Sequence, residues 1–311
     1  MTHLSIVVPC FNEEEVLPES ATRLLLLLQR LMHQGDVSTD SKIYFIDDGS
    51  EDATWSLIEA MNIENPQISG IKLSRNRGHQ NALLAGLLTV PGDVVISLDA
   101  DLQDDIEIIP KMLAEFNQGA EIVYGVRAQR TSDSFFKRFT AQRYYKLMSY
   151  FDIDIVPDHA DYRLMTRRAL QALQSFNEVN LFLRGVIPLL GFKTAKTYYE
   201  RQPRFAGETK YPLHKMLALA FEGITSFSSA PLKWITWLGG LISLGAIVTG
   251  GWALFIKLFT DTAIPGWASI VVPIYFLGGL QMLSLGIIGG YLAKIYSETK
   301  RRPRFIIEKA L

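Results

Sequence analysis

The chain has 311 residues, a net charge of −1 and one cysteine, Cys10. That length holds a domain of ordinary size and something more. The near-zero charge supplies no bulk field to draw the chain to nucleic acid. A lone cysteine forms no intrachain disulfide, so Cys10 is expected to be a buried structural thiol, and a reducing compartment is permitted.

The mean hydropathy is positive, high for a soluble enzyme, and the excess lies near the C-terminus. The first residues, Met-Thr-His-Leu-Ser, lack the basic start and long apolar core of a secretion signal. Leu4 to Pro9 reads as a buried strand, followed by the acidic loop Cys-Phe-Asn-Glu-Glu-Glu and a helix from about Val16 to His33. Lys42 to Ile46 is a second strand ending in Asp47-Asp48-Gly-Ser, and Ser50-Glu-Asp-Ala-Thr caps a helix reaching Met61. A third strand, Ile68 to Leu73, exits into Arg75-Asn-Arg-Gly-His79 and a helix rich in Ala and Leu. Val94 to Leu98 is a fourth strand, Glu107 to Gln118 a helix, and Glu121 to Val126 a fifth strand ending at Arg127. This alternation predicts an α/β fold, a mostly parallel doubly wound sheet with helices on both faces.

The polar residues gather at strand ends: Asn12 and Glu13, Asp47 and Asp48, Asp99 and Asp101, Arg127. In an open α/β sheet the carboxyl edge is where ligands bind. Two carboxylates one residue apart, Asp99 and Asp101, are costly there unless a cation lies between them. Mg²⁺ or Mn²⁺, which takes oxygen ligands from one or two carboxylates and from substrate phosphates, is the natural partner. The alternative is a polar turn after a core strand. No Gly-x-Gly-x-x-Gly follows the first strand and no Gly-x-x-x-x-Gly-Lys is present, which disfavours a dinucleotide-binding dehydrogenase and a P-loop site.

From Ser134 to Phe151 aromatic residues interleave with Lys137, Arg138, Arg143 and Lys146, the pattern of an amphipathic helix at a membrane interface or of one packed on the sheet with a basic solvated face. A second amphipathic helix is expected from Pro212 to Phe227. Trp234 to Ile256 and Thr262 to Ala293 contain no charged residue and are long enough to span a bilayer as a helical hairpin, the alternative being a buried soluble pair. The basic run Lys294, Lys300, Arg301, Arg302 and Arg304 marks the following end as cytoplasmic, and an even number of spans places the N-terminal domain on the same side. Gly286-x-x-x-Gly290 and similar small-residue pairs would allow close helix packing, within one chain or in a homo-oligomer.

Six motifs fall in one order: Val-Val-Pro-Cys-Phe-Asn-Glu (7–13), Ile-Asp-Asp-Gly-Ser-Glu-Asp-Ala-Thr (46–54), Arg-Asn-Arg-Gly-His (75–79), Asp-Ala-Asp-Leu-Gln (99–103), Asp-Tyr-Arg-Leu-Met (161–165) and Arg-Phe-Ala-Gly-Glu-Thr-Lys-Tyr (204–211). Together they resemble the family 2 inverting glycosyltransferases of GT-A fold, and more closely the polyprenyl-phosphate glycosyltransferases, which include bactoprenol glucosyltransferases and dolichol-phosphate mannosyltransferases. The resemblance covers nearly the whole chain. It implies a nucleotide-sugar-binding core at 1–133, an acceptor-side subdomain with interfacial helices at 134–228, a transmembrane hairpin at 229–295 and a basic cytoplasmic tail at 296–311, in a bacterial inner membrane.

The resemblance also implies roles. Pro9, Phe11, Asn12 and Glu13 would border the base and ribose, with Asp47 reading the base and Asp48 and Arg75 close by. Phe11 stands where the family often has Tyr. Asp99, Asp101 and Gln103 would hold Mg²⁺ or Mn²⁺ and the diphosphate. Arg127 would face the phosphates, Asp161 would lie beside the anomeric carbon with Arg163 supporting it, and Arg204 and Lys210 would close over the phosphates. The processive Gln-x-x-Arg-Trp motif is missing, which implies one transfer per turnover. The implied reaction moves glucose from UDP-glucose to undecaprenyl phosphate. GDP-mannose or a UDP-linked formamido-arabinose is the alternative donor, and a non-catalytic membrane scaffold is the alternative outside enzymes. The acceptor phosphate is already anionic, so a strong base is less needed than charge stabilisation. Asp161 would stabilise positive charge at the anomeric carbon or, alternatively, accept a proton.

Overall fold

The computed structural model describes residues 1–128, 159–176, 178, 182–200, 230–259 and 266–311. They form two units, 1–216 with 302–311, and 217–301. In the first, β1 (Leu4–Cys10), β2 (Lys42–Asp47), β3 (Ile68–Leu73) and β4 (Val94–Ser97) alternate with α1 (Leu17–Gln34), α2 (Thr54–Glu64) and α3 (His79–Thr89). A 3₁₀ turn (Ile106–Ile108), α4 (Ile109–Asn117) and β5 (Ile122–Arg127) follow, then β6 (His159–Thr166), α5 (Arg167–Gln174), α6 (Leu183–Leu189) and β7 (Thr194–Tyr199). The second unit holds α7 (Ala230–Phe259) and α8 (Trp267–Lys300), and β8 (Ile307–Ala310) belongs again to the first.

One eight-stranded sheet runs β7-β5-β6-β4-β1-β2-β3-β8. Strands β1 to β4 pair in parallel, as does β5 with β7. Strands β1 to β5 are largely buried on both faces because helices cover both. On one face Leu4, Ile6 and Val8 meet Leu24, Leu28, Ile58 and Met112 in a common core. On the other, α3 lies so close that a Cβ on Gly86 would sit 2.4 Å from Val7 Cγ1. The lone thiol, Cys10, is buried at the end of β1, and burial first, then Glu13, raises it well above the ordinary thiol range.

Two features depart from the expected order of strands. Strand β6 is inserted between β4 and β5 and runs antiparallel to both. Its alternation hides it from a hydrophobicity pattern, since Asp161 and Arg163 share one face while Tyr162 and Leu164 enter the core on the other. The tail also returns to the sheet. β8 pairs antiparallel with β3, and Leu311 N–H donates to Gly70 O at 2.9 Å. The helix expected from Glu107 begins instead as the 3₁₀ turn, where Asp105 accepts from Glu107 N–H.

In the second unit, Phe276–Lys300 of α8 is long and apolar enough to cross a membrane, and the apolar stretch in α7, Trp234–Thr249, is shorter. The expected amphipathic helices of 134–151 and 212–227 lie outside the described residues.

The turn after β2 supplies a test. Gly49 has φ +69°, and a Cβ there would lie 2.6 Å from the Arg75 carbonyl carbon and 2.7 Å from Asn76 N. Gly78, at φ +87°, has open space instead. Left-handed backbone alone costs a non-glycine residue roughly 1–2 kcal/mol, and a backbone clash adds to that. Gly49→Ala is therefore expected to destabilise the protein by more than about 2 kcal/mol, and Gly78→Ala, whose φ of 87° and ψ of 150° suit only glycine, by about 1–3 kcal/mol, in urea-dependent pulse proteolysis.

Candidate active site

The sheet register gathers the polar residues. Ser97 pairs with Arg163 and Ile96 with Leu164, so continuing the antiparallel register sets Asp161 opposite Asp99. Ser97 Oγ donates to the Asp161 carbonyl at 2.6 Å and fixes that alignment. β5 and β7 end on the same edge, at the paired residues Arg127 and Tyr199.

Asp161 is the centre of the site. Its Oδ1 accepts from Arg163 Nη2 at 2.5 Å, and Arg184 embraces the carboxylate through Nη2 to Oδ2 at 3.1 Å and Nε to Oδ1 at 3.3 Å. His79 Nε2 lies 3.4 Å from Asp161 Oδ2 and 3.5 Å from Asp99 Oδ1. Burial opposes ionisation of Asp161, but the His79 hydrogen bond and the charges of Arg163 and Arg184 outweigh it and hold the carboxyl well below the usual carboxylate range. A carboxylate so stabilised is a poor proton acceptor. Arg163 is fully buried beneath it, so it can meet Asp161 but not a ligand from solvent.

Asp99 faces the opposite situation. Burial pushes its carboxyl up to about 6, with His79 pulling against this and Asp104, Asp161 and Asp101 adding to it. Its Oδ1 is buried and accepts no hydrogen bond from the described residues. Asp101 Oδ1 accepts from Gln103 N–H at 3.2 Å, which curls the loop back on itself. The loop runs through Leu102 at φ +56°, a backbone conformation sparsely used outside glycine and a mark of functional turns. Asp104, next along, accepts from Tyr199 Oη and lies 3.9 Å from Arg127 Nη2. Tyr162 Oη donates to Asp105 O at 3.1 Å. Side chains from β5, β6 and β7 thus clamp the loop that carries Asp101.

These residues fit a divalent cation. A buried carboxylate oxygen without a hydrogen bond, on a residue reluctant to ionise, is what a cation would relieve. Among the described residues no three His, Cys, Asp or Glu side chains come together as a metal cluster; Mg²⁺-type sites at phosphates use one or two carboxylates and take their other ligands from substrate oxygens and water.

The second half of the edge forms a clasp between the β1 and β2 exits. Asn12, at φ +53°, donates its N–H to Ser50 Oγ at 3.0 Å and accepts from Glu51 N–H at 2.9 Å. Glu13 N–H reaches Thr54 Oγ1 at 2.9 Å. Both Asp48 oxygens accept backbone N–H groups, from Arg77 at 2.7 Å and Gly78 at 2.8 Å. Asp48 therefore positions the segment after β3. Asp47 Oδ1 accepts from Ser50 N–H at 3.2 Å, while the buried Oδ2 has no partner among the described residues. Burial raises both carboxyls. Pro9 is buried behind this clasp, whereas Phe11 and Arg75 are exposed at its rim. Arg204 and Lys210 lie outside the described residues.

Arg184 and His79 were given no role from the sequence. His79 was legible only as part of a motif. Arg184 comes from an otherwise apolar helix 23 residues beyond Asp161, with no local pattern to mark it.

The glycosyl transferase family 2 model matches residues 5–174, and the chain belongs to that family. It is 50% identical over 307 residues to an uncharacterised glycosyltransferase, YkoT, of Bacillus subtilis, covering 98% of this chain and 91% of that protein. It is 38% identical over 309 residues to a prophage bactoprenol glucosyl transferase homolog of Escherichia coli, covering 98% of each. It is 37% identical over 308 residues to the bactoprenol glucosyl transferase of Shigella phage SfII, covering 99% and 98%. Among solved structures, mannosyl-3-phosphoglycerate synthase from Rubrobacter xylanophilus aligns over 86% of this chain and 78% of its own, at TM-score 0.50 and 14% identity, a likeness of fold.

Two outcomes follow from the Asp161 cluster. Asp161→Asn leaves the sealed Arg163 without its counter-charge, a change that costs about 3–5 kcal/mol when a buried pair is broken. It also removes the group that, with Asp99, overcomes desolvation and raises the His79 pKa. A raised histidine pKa stabilises the fold fully below the unfolded value near 6.5, and that contribution is lost as pH rises through the folded value. In Asp161→Asn the loss should begin at lower pH, which NMR titration of the imidazole signals would show as a downward shift of the His79 resonance midpoint.

Proposed function

We propose that this protein is an inverting, metal-dependent transferase that moves glucose from UDP-glucose to undecaprenyl phosphate, giving a lipid-linked sugar for modifying cell-surface polysaccharide. The observation that carries the reading is Asp161 held ionised between Arg163, Arg184 and His79, level with Asp99 at the sheet edge. It is supported by full-length likeness to bactoprenol glucosyl transferases.

In this reading the buried Asp47 Oδ2 accepts from the base, within the clasp made by Pro9, Phe11, Asn12 and Glu13, with Arg75 at the rim. Asp99, Asp101 and Gln103 would hold Mg²⁺ or Mn²⁺, which neutralises charge on the leaving diphosphate. Asp161 faces the anomeric carbon and stabilises the positive charge that develops there. A phosphate oxygen of the acceptor forms the new bond to C1 of the glucose. The bond from C1 to the β-phosphate oxygen breaks, and its electron pair leaves with UDP. No proton need be abstracted from an acceptor that is already anionic, which agrees with the weak basicity of Asp161. Arg127 holds Asp104 in the loop beneath the diphosphate, and Arg204 and Lys210 contribute positive charge to the phosphates.

Phe276–Lys300 supports membrane association. We take α7 as the second span of a hairpin, with the catalytic unit and both termini on the cytoplasmic side of a bacterial plasma membrane. The division into a core at 1–133, an acceptor-side region at 134–228, a hairpin at 229–295 and a tail from 296 belongs to the same reading. Gly286 and Gly290 have open space around them, which would admit a neighbouring helix in a homo-oligomer.

Purified protein incubated with undecaprenyl phosphate, Mg²⁺ and radiolabelled UDP-glucose should place label in the organic phase, and Asp101→Ala should lower the rate by about 10²–10³. Label from GDP-mannose or a UDP-linked formamido-arabinose, but not from UDP-glucose, would replace the sugar. No label from any donor would favour a scaffold.

A further inference from the structure

Arg163 alone gives the Asp161 carboxylate a sealed counter-charge, since both side chains are shut away from solvent. Arg184 repeats that pairing from the open side, with its side chain 41% exposed. An ion pair so exposed adds little to folding. Its backbone is nevertheless held in place: Leu183 N–H donates to Gln80 Oε1 at 3.2 Å, tying the start of α6 to the residue beside His79 on α3. The fold thus sets an exposed guanidinium over a carboxylate that is already neutralised. Arg163, Arg184 and His79 surround Asp161, and His79 also reaches Asp99; only the two of them that are exposed can meet a ligand.

The direction is set by the order of groups. Asp99 marks the side of the leaving diphosphate, His79 bridges Asp99 to Asp161, and Arg184 is attached to Asp161. An in-line displacement at the sugar brings the acceptor in from the side opposite the diphosphate. Of the two arginines joined to Asp161, Arg184 is the one exposed to solvent, and unlike His79 it makes no ion pair with Asp99.

We propose that Arg184 binds the phosphate of the acceptor and that, with the acceptor absent, the same guanidinium covers Asp161. The proposal rests on the transferase reading above and adds a named acceptor ligand to it. A guanidinium suits this exchange because its planar fork matches a carboxylate and a phosphate equally. When the anionic acceptor arrives, Arg184 turns to it and leaves Asp161 held by Arg163 and His79, open toward the anomeric carbon.

The experiment measures transfer kinetics for the full chain and for Arg184→Gln and Arg184→Lys, varying lipid and nucleotide sugar separately. Losing a hydrogen-bonded charge corresponds to about 10–100-fold. Arg184→Gln is expected to raise KM for undecaprenyl phosphate by that factor and KM for the nucleotide sugar by less than about 3-fold, with Arg184→Lys between the two. A fall in kcat with lipid KM unchanged, or equal rises in both KM values, overturns the proposal, because either would make Arg184 a prop for Asp161. Equilibrium binding of a short-chain isoprenyl monophosphate, without any donor, separates the two levels. Wild-type binding that weakens in Arg184→Gln supports the proposal whichever sugar is transferred. Equal binding by wild type and Arg184→Gln overturns it. No binding by either, together with no transfer by wild type, overturns the transferase reading and the proposal with it.

Discussion

The site depends on one carboxylate that cannot easily take a proton. Asp161 sits on an inserted antiparallel strand, in surroundings that exclude water, and burial alone would favour its neutral form. Arg163 from the same strand, Arg184 from α6 and His79 from α3 reverse that preference. The three come from distant parts of the chain, so the charge state of Asp161 reports that the sheet and both helices are in place. Asp99, across the register, has His79 to favour its charge but is pushed the other way by burial. Two carboxylates facing one another with opposed proton affinities divide the work between them. One is a standing negative charge, and the other gains most from a cation.

The loop bearing Asp101 illustrates how the sheet holds such a site. A segment with a strained residue at Leu102 persists only where its surroundings over-determine it. Here Tyr199, Arg127 and Tyr162 do so from three adjacent strands, and the rings of Tyr162 and Tyr199 meet edge to face at 5.6 Å. The other end of the edge is built from backbone groups instead. Asn12, Ser50, Glu51 and Asp48 tie three strand exits together, so that this side of the edge is shaped by the fold itself.

Strands β1 to β5 were legible because helices on both faces make them continuous apolar runs. Asp47, Asp99 and Asp101 were legible because acids at such exits have few other reasons to gather. Strand β6 was not, since its site face carries Asp161 and Arg163 and breaks the apolar pattern. β7, Thr-Ala-Lys-Thr-Tyr-Tyr, is an edge strand with alternating exposure and lacks a buried run. Asp48 looked like a ligand, yet its oxygens are taken up by backbone N–H groups of the next loop, a use that only tertiary pairing reveals. Arg184 depends on chain packing alone, and nothing in Leu-Phe-Leu-Arg-Gly sets that arginine apart.

The final strand has a consequence for biosynthesis. β8 completes the sheet edge beside β3, with Ser69 Oγ donating to Leu311 O at 2.7 Å, but it is translated only after both long helices. Until then the edge of β3 is uncovered, and exposed edges invite pairing with other chains. The catalytic unit is therefore finished last, once the apolar helices have left the ribosome, and its maturation is coupled in time to whatever receives those helices.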